Sequence, residues 1–401
     1  MEIREAIKFG ITAEIREIDF AAIMGRMRQH VKKSHDRIEE ALNKAEDFEF
    51  YSGEAEFVGD YTLTVKGETI KGKTIFLATG ARPLIPPIAG IESIEYLTNE
   101  TVLALTARPE SMVIIGGGYI AAEFAHFFEA MGAQVTIIQR NKRLVPEEEP
   151  EVSELLRKSL ARRMAVHTNT EAVEVRREGD RIRVVAKERE SGKTSTFTAQ
   201  DLLIASGRKS NADLLKVENT GVKIDERGYI TVDEYFETTK KNIWSFGDAI
   251  GKKMFRHTAN REAEMVWHNA VHGKKSRMNY LIEPHAVFSW PEIASVGLTE
   301  EQAVKIMGKA SILVGSAVFS DTARGDAMME NEAFAKAVVH RKTGKILGYH
   351  IIGPQASILI QEVVNAMAND GTLWSLAKGQ HIHPALSEVV LKAFAKLTEP
   401  R

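Results

Sequence analysis

The chain has 401 residues, 44% hydrophobic and 27% charged, a balance typical of a globular protein with two or three domains. Its net charge of −2 argues against an electrostatic nucleic-acid binder, and no apolar run approaches the roughly 20 residues of a membrane helix. The start MEIREAIKFG lacks a signal-peptide pattern, and the absence of cysteine excludes disulfides and thiolate metal sites. These features predict a cytoplasmic enzyme or binding protein.

The first hundred residues combine one long helix with short strands. Residues 20–46 place apolar side chains on one helical stripe, and Asp19 stands at the N-cap position. The stripe consists of Phe20, Ile23, Met24, Met27, Val31, Ile38 and Leu42. Strand-like runs follow and end in KTIFLATGARP at 73–83, and the proline-containing residues 83–110 are predicted to be a connection.

A strand, a glycine turn, a helix and a second strand are predicted over residues 111–140. Gly116 allows the tight turn, Gly118 lets the backbone approach a pyrophosphate, and small Ala121 allows close helix–strand packing. The helix N-terminus adds a positive dipole end for the phosphates. The glycines alone could merely form a turn, but the complete strand–turn–helix–strand context favours a dinucleotide site.

The end of the second strand indicates which dinucleotide binds. An NAD site usually has Asp or Glu there, to accept hydrogen bonds from the ribose hydroxyls. This chain has Gln139, followed by Arg140, Asn141, Lys142 and Arg143. These cations could pair with a 2′-phosphate, so NADP(H) is favoured over NAD(H), and the alternative is a solvated basic turn.

The pattern changes near residue 280. Residues 285–300 and 335–352 predict an antiparallel sheet with a hairpin at 342–344, and helices are predicted at 356–369 and 384–397. The layout is therefore two α/β units followed by an α+β unit. The last helix and the 285–297 strand carry more apolar surface than one small sheet can cover, which predicts a homodimer through residues 280–401. The apolar residues of that helix segment are Leu386, Val389, Val390, Leu391 and Phe394.

Three short turns and one C-terminal motif could carry chemistry. The turns at 78–80, 205–207 and 245–248 follow apolar strands, although each alone is more often a plain turn. In HIHPALSE (381–388), His383 precedes Glu388 by five positions, and such a pair is suited to passing protons to and from sulfur. The plainer interpretation of His383 is a helix-start histidine with local hydrogen bonds.

In this order, the segments resemble the pyridine nucleotide–disulfide oxidoreductases of the dihydrolipoamide dehydrogenase, glutathione reductase and mercuric reductase group. The resemblance runs from residue 1 to about 398. Its marks are LATGARP, VIIGGGYIAAE, ASGR, TTKKNIWSFGDAIG, MFRH, HAVFSWPEIASVGLTE and HIHPALSE. The HxHPxxSE form is nearer to dihydrolipoamide dehydrogenase than to mercuric reductase.

The resemblance implies an α/β fold with two Rossmann-like domains and a C-terminal α+β dimerisation domain. Residues 1–107 and 235–279 would form the FAD-binding domain, 108–234 the NAD(P)-binding domain, and 280–401 the dimerisation domain. By the same resemblance, hydride would pass between NADP(H) and FAD toward a disulfide or dithiol. The physiological acceptor, whether lipoamide, another disulfide, a metal ion or a quinone, is left open.

The resemblance also assigns residue roles. His383 and Glu388 would be the acid–base pair, contributed across the dimer interface, and Asp248 would bind the ribityl chain of FAD. Residues 254–257 would line the flavin. The cofactor-binding positions are Gly116, Gly118, Ala121, Glu123, Gln139, Arg140, Arg143, Gly207, Ala55, Thr79, Gly80, Asp248, Met254, Phe255, Arg256 and His257.

One departure from the family pattern concerns the thiols. Family members open with a strand, a GxGxxG turn for the FAD pyrophosphate and a helix carrying CxxxxC, and this sequence begins after that helix. We therefore expect FAD binding to be weakened or lost by truncation, disulfide chemistry to be inactive as given, and a restored N-terminal segment to rescue activity. The alternatives are a non-catalytic dimeric dinucleotide-binding remnant, one part of a split enzyme whose missing segment comes from a separate chain, or a mercuric reductase-like enzyme.

Overall fold

The computed structural model describes residues 1–400. The helices are α1 (Glu2–Glu5), α2 (Phe20–Lys44), α3 (Tyr119–Ala130), α4 (Pro150–Ala161), α5 (Arg256–His272), α6 (Glu300–Met307), α7 (Ala323–Ala327), α8 (Ala356–Ala368), α9 (Leu373–Ala377) and α10 (Glu388–Ala395). The strands are β1 (Ala55–Gly59), β2 (Thr62–Val65), β3 (Glu68–Lys71), β4 (Ile75–Leu77), β5 (Ala81–Pro83), β6 (Ser111–Ile115), β7 (Gln134–Ile138), β8 (Ala165–His167), β9 (Thr170–Glu178), β10 (Arg181–Glu188), β11 (Thr194–Ala199), β12 (Asp201–Ile204), β13 (Arg208–Ser210), β14 (Ile243–Ser245), β15 (Pro284–Val287), β16 (Ile293–Gly297), β17 (Ile312–Val318), β18 (Phe334–His340) and β19 (Ile346–Ile352). Across these 400 residues, no helix has the length and apolar character needed to cross a membrane.

The chain forms two compact units. The first contains residues 1–22, 86–206 and 280–401, and the second contains residues 23–85 and 207–279. This division is coarser than the three predicted domains, so the predicted domain boundaries stay a prediction.

A four-stranded parallel sheet in the first unit carries the predicted dinucleotide turn. Its strand order is β12-β6-β7-β8. Every residue of β6 is buried, as expected for a central parallel strand whose faces are both covered. Helix α3 leaves the end of β6 and contacts β7, with its small residues Ala121, Ala122 and Ala125 buried. The strand–turn–helix–strand prediction for residues 111–140 is therefore confirmed.

The C-terminal segment of the same unit forms a five-stranded antiparallel sheet. Its order is β15-β16-β19-β18-β17, and the hairpin between β18 and β19 lies where residues 342–344 predict it. Helices α8 and α10 pack on this sheet around Tyr349, whose ring is fully buried. The predicted antiparallel sheet and both predicted helices are confirmed, although α10 begins only at Glu388.

Helix α10 corrects one argument made from the sequence. Its apolar residues were expected to need a partner chain, yet Val389, Val390 and Phe394 are buried in the core of their own chain, and so is Leu386 just before the helix. The helix lies against β17 and β18, which cover that face. The exposed large apolar side chains of residues 280–400 are instead Phe288, Ile306, Met307, Met329, Ile358, Trp374 and Ile382.

The second unit is built from small sheets. Strands β4 and β14 pair in parallel, β5 and β13 pair antiparallel, and β1, β2 and β3 form an antiparallel sheet. Phe57 and Phe236 lie in the core that these elements share.

The predicted helix at 20–46 is observed as α2, and Asp19 caps it by accepting a hydrogen bond from the backbone N–H of Ala22 at 2.8 Å. Its apolar stripe is only partly covered, since Phe20 and Met24 are buried but Val31 and Ile38 are 54% and 60% exposed.

A buried carboxylate connects the segment before α4 to the C-terminal sheet within the first unit. Glu148 accepts hydrogen bonds from His285 Nε2 at 2.5 Å and from Ser295 Oγ at 2.6 Å. Burial by itself would raise the pKa of Glu148, but the two hydrogen bonds and the nearby imidazoles outweigh it and lower the pKa to about 2.

The pH dependence of stability should report this carboxylate. Because the folded-state pKa lies below the ordinary value of 4.5, the contribution of Glu148 is present above pH 4.5 and lost as the pH falls toward about 2. The free energy of unfolding should therefore fall less steeply in Glu148→Gln than in the unmodified chain, measured by urea denaturation between pH 6 and pH 3. Glu147→Gln, at the exposed neighbouring position, is the control. Equal slopes for all three proteins would contradict the prediction.

Candidate functional site

The glycine turn after β6 leaves its backbone open to close approach by a ligand. Gly116 has φ of +126°, and a Cβ there would lie 2.1 Å from the carbonyl oxygen of Ala205, so a larger residue is excluded. Gly118 is the N-cap of α3, and a Cβ there would meet no atom within 4 Å. The helix N-terminus therefore opens onto free space above a bare backbone, which fits a pyrophosphate.

Gln139 lies against this turn. A Cβ on Gly117 would come within 2.8 Å of three Gln139 side-chain carbons, so the amide packs directly on the middle glycine. Gln139 is only 5% exposed and donates from Nε2 to the carbonyl oxygen of Arg143 at 3.1 Å. Gln139 thus shapes the loop that follows β7, and its amide is already hydrogen-bonded within that loop.

The basic residues of that loop differ in their surroundings. Arg140 and Arg143 are exposed, and no carboxylate within residues 1–400 pairs with either of them. Lys142 instead pairs with Glu190 at 2.6 Å. The two arginines are therefore available to an anion, whereas Lys142 already has a carboxylate partner in an exposed ion pair.

Glu123 occupies the second turn of α3. It accepts a hydrogen bond from the backbone N–H of Phe288 at 2.9 Å, and burial raises its pKa. Its carboxylate therefore connects the helix that follows the glycine turn to the segment between β15 and β16.

Several other predicted cofactor-binding residues, including Asp248, which was assigned to FAD, lie in the second unit. Thr79 and Gly80 follow β4, Gly207 precedes β13, and Asp248 follows β14. The hydroxyl of Thr79 is buried and has no hydrogen-bond partner within residues 1–400. The pKa of Asp248 is raised by burial, an effect that Arg208, 3.3 Å away, partly offsets. An unsatisfied hydroxyl and a half-buried carboxylate suit a ligand rich in hydroxyl and ring hydrogen-bonding groups, as FAD is.

The remaining predicted cofactor-binding residues lie at the start of β1 and around the start of α5. Met254 Sδ lies 3.8 Å from the hydroxyl of Tyr229, and the rings of Phe255 and His257 stack with centroids 5.8 Å apart at the start of α5. Arg256 is the first residue of that helix. Ala55 begins β1, opposite Val65.

The C-terminal pair has the expected geometry. His383 Nδ1 lies 3.0 Å from Glu388 Oε1, while Glu388 Oε2 accepts from the backbone N–H of Ala385 at 3.1 Å. The hydrogen bond from His383 is the main reason that the pKa of Glu388 is lowered. A carboxylate on Nδ1 favours the tautomer with its proton there, which leaves Nε2 to accept or give a proton. The imidazole is 68% exposed, so it is accessible to a substrate.

Comparison with known proteins identifies the family. Residues 3–272 match the family described as pyridine nucleotide-disulphide oxidoreductase, and residues 283–394 match its dimerisation domain. This chain belongs to the pyridine nucleotide-disulphide oxidoreductase family. The family is FAD-dependent and uses NAD(P)H, so the chain is an oxidoreductase by family. The match to the dimerisation domain supports a homodimer.

Several relatives illustrate the range of this oxidoreductase family. Mycothione reductase of Mycobacterium tuberculosis is 34% identical over 407 residues, covering 98% of this chain and 87% of that protein. Mercuric reductase of Bacillus cereus is 34% identical over 357 residues, covering 88% and 55% respectively. Dihydrolipoyl dehydrogenase of Chlamydia trachomatis is 31% identical over 398 residues, covering 97% and 83%. The Cu(II) complex of the HOCl-induced flavoprotein disulfide reductase RclA from Escherichia coli has a TM-score of 0.84 at 28% identity, covering 94% of this chain and 85% of that one.

Sequence reasoning did not single out two features of this oxidoreductase. One is Arg208, which forms an ion pair with Asp248. Its position directly after the 205–207 turn was the only sequence feature that could have indicated this contact. A second pair joins His381 Nε2 to Glu362 Oε2 at 2.9 Å, and burial raises the pKa of Glu362. The first histidine of the HxH pattern was the only sequence signal for this pair, because Glu362 lies on α8, 19 residues before His381.

Proposed function

We propose that this chain is a flavin- and NADP(H)-dependent oxidoreductase of the dihydrolipoamide dehydrogenase-like group. It would move hydride between NADP(H) and FAD, toward a disulfide or dithiol, in the cytoplasm. The observation that carries the proposal is the 3.0 Å pair of His383 and Glu388, because a proton-transferring pair of this kind is what thiol exchange requires.

The residues would divide the work as follows. Gly118 and the start of α3 would hold the dinucleotide pyrophosphate, and Arg140 with Arg143 would bind the 2′-phosphate. Asp248 would accept a hydrogen bond from a ribityl hydroxyl, and Thr79 would bind a polar atom of the same cofactor. FAD, when bound, supplies the two-electron redox chemistry.

The acid–base step belongs to His383. Glu388 orients the imidazole and stabilises its protonated form, so Nε2 can take the proton of a dithiol as its thiolate forms. In the opposite direction, the same nitrogen returns a proton to a leaving thiolate. General acid–base catalysis of this kind contributes roughly 10²–10⁴-fold.

The absence of thiols limits the chemistry that this chain can carry out by itself. The 401 residues contain no cysteine, so we infer that they do not carry out disulfide chemistry alone. A separate chain that supplies the thiol segment would make this protein one part of a split enzyme. The same absence favours a second candidate, a dimeric dinucleotide-binding protein without catalysis. Yellow colour in the purified protein, with a flavin absorption spectrum, would favour the first candidate.

NADPH should bind more tightly than NADH. Each charge-assisted hydrogen bond to a phosphate contributes about 1.5–3 kcal/mol, which corresponds to roughly tenfold or more in affinity. Isothermal titration calorimetry with both dinucleotides tests this, and Arg140→Ala should erase most of the difference. Comparable dissociation constants for the unmodified chain would rule out the NADP(H) assignment.

A further inference from the structure

A hairpin adjoins the basic loop that follows β7. The loop and the hairpin between β10 and β11 are joined by backbone hydrogen bonds through residues 169 and 170. Thr170 N–H donates to Gln139 at 2.9 Å, Asn169 N–H donates to Asn141 at 2.8 Å, and Arg189 N–H donates to Asn169 at 2.8 Å. The tip of the hairpin is therefore held beside the loop by the backbone itself.

Arg189 reaches this loop with its side chain. Its Nη1 donates to the carbonyl oxygen of Arg140 at 3.3 Å, which brings the guanidinium next to the start of the basic loop. That contact uses one of the five N–H donors of the guanidinium. Arg189 is exposed, and no carboxylate within the described residues 1–400 forms an ion pair with it. Its charge therefore adds to that of Arg140.

The two acidic residues of the hairpin are already engaged. Glu190 pairs with Lys142 at 2.6 Å. Glu188 folds back on the hairpin, accepting from Ser191 N–H at 2.5 Å, from Glu190 N–H at 3.1 Å and from Asn169 Nδ2 at 2.5 Å. These hydrogen bonds, chiefly those from Ser191, lower the pKa of Glu188 to about 2. Both acidic side chains of the hairpin therefore already have partners. Arg189 is the hairpin cation whose side chain contacts the basic loop.

We propose that Arg189 is a specificity-determining residue that binds the 2′-phosphate of NADP(H) together with Arg140. This assignment rests on the proposed function, because the glycine turn places the dinucleotide at the end of β7. An arginine pair is suited to the task, since each guanidinium presents parallel N–H groups to two phosphate oxygens. The lysine in the loop contributes less, because Glu190 competes with the phosphate for it.

Adenosine 2′,5′-bisphosphate and adenosine 5′-monophosphate provide a test that requires neither FAD nor turnover. The two ligands differ only in the 2′-phosphate. Arg189→Ala should weaken binding of the bisphosphate roughly tenfold or more, which is the loss expected for one charge-assisted contact. Its affinity for the monophosphate should stay within about twofold of that of the unmodified chain. Arg189→Lys should retain part of the affinity, and Glu190→Gln should strengthen bisphosphate binding because it releases Lys142.

The control is Arg181→Ala, which removes the same charge from the far end of β10, where Arg181 pairs with Glu110 at 2.9 Å. It should leave the affinities for both ligands unchanged. If the unmodified chain binds both ligands equally, the NADP(H) assignment fails and the role of Arg189 fails with it. If the unmodified chain prefers the bisphosphate and Arg189→Ala keeps that preference in a folded protein, only the role of Arg189 is overturned.

Discussion

Supplied with FAD and NADPH, the 401-residue chain should turn over neither lipoamide nor any other disulfide. The reason is the absence of cysteine: a proton donor such as His383 cannot replace a thiol pair that accepts electrons. Loss of the acid–base pair alone would slow proton transfer by roughly 10²–10⁴. Loss of both sulfurs removes the pathway.

Any residual NADPH oxidation should go to oxygen or to dyes, should require added FAD, and should be the same in His383→Gln. The measurement is a steady-state assay with dihydrolipoamide and NADP⁺, run beside a dye-reduction assay. A dihydrolipoyl dehydrogenase that is active with these substrates serves as the positive control. Robust dithiol turnover by the unmodified chain would show that the chemistry has been misassigned.

Lys336→Met should lower the free energy of unfolding of the first unit far more than any substitution at the surface. Lys336 is buried, and its Nζ contacts Glu300 at 2.7 Å, Glu149 at 3.0 Å and Glu151 at 3.1 Å. Glu149 is fully buried, so removing the ammonium leaves its carboxylate in the protein interior without its lysine partner, with only the backbone N–H of Glu300 and the imidazole of His350 nearby. Breaking a buried pair in this way costs about 3–5 kcal/mol.

Chemical denaturation monitored by circular dichroism measures the change. Lys342→Met is the matched control, because Lys342 is exposed in the hairpin that follows the same strand, and its free energy of unfolding should change by less than about 0.5 kcal/mol. A double variant, Lys336→Met with Glu149→Gln, should regain part of the lost stability, since the second change removes the unpaired charge. Similar stabilities for Lys336→Met and Lys342→Met would contradict the prediction.

Local patterns predicted much of the fold. The alternation of apolar strands, glycine turns and helices predicted β6, α3 and β7, because each element follows from hydrophobic period and turn chemistry over a few residues. The hairpin between β18 and β19, the N-cap Asp19 and the pairing of His383 with Glu388 followed for the same reason. Their partners are close in sequence, so short-range geometry constrains them.

Tertiary structure alone decided which charges are compensated and which apolar faces are covered. In the sequence, Lys142 and Arg140 look equally able to bind an anion. Only the folded hairpin, some 50 residues later, pairs Glu190 with Lys142 and places Arg189 in contact with Arg140. The sequence equally presents α10 as a surface in need of a partner, whereas the sheet of its own chain buries it. Pairing and burial depend on residues brought together by folding, and a linear pattern holds no record of those distances. Residue types, periods and turns were therefore determined by the sequence, while the assignment of each charge and apolar face to its neighbour was decided in three dimensions.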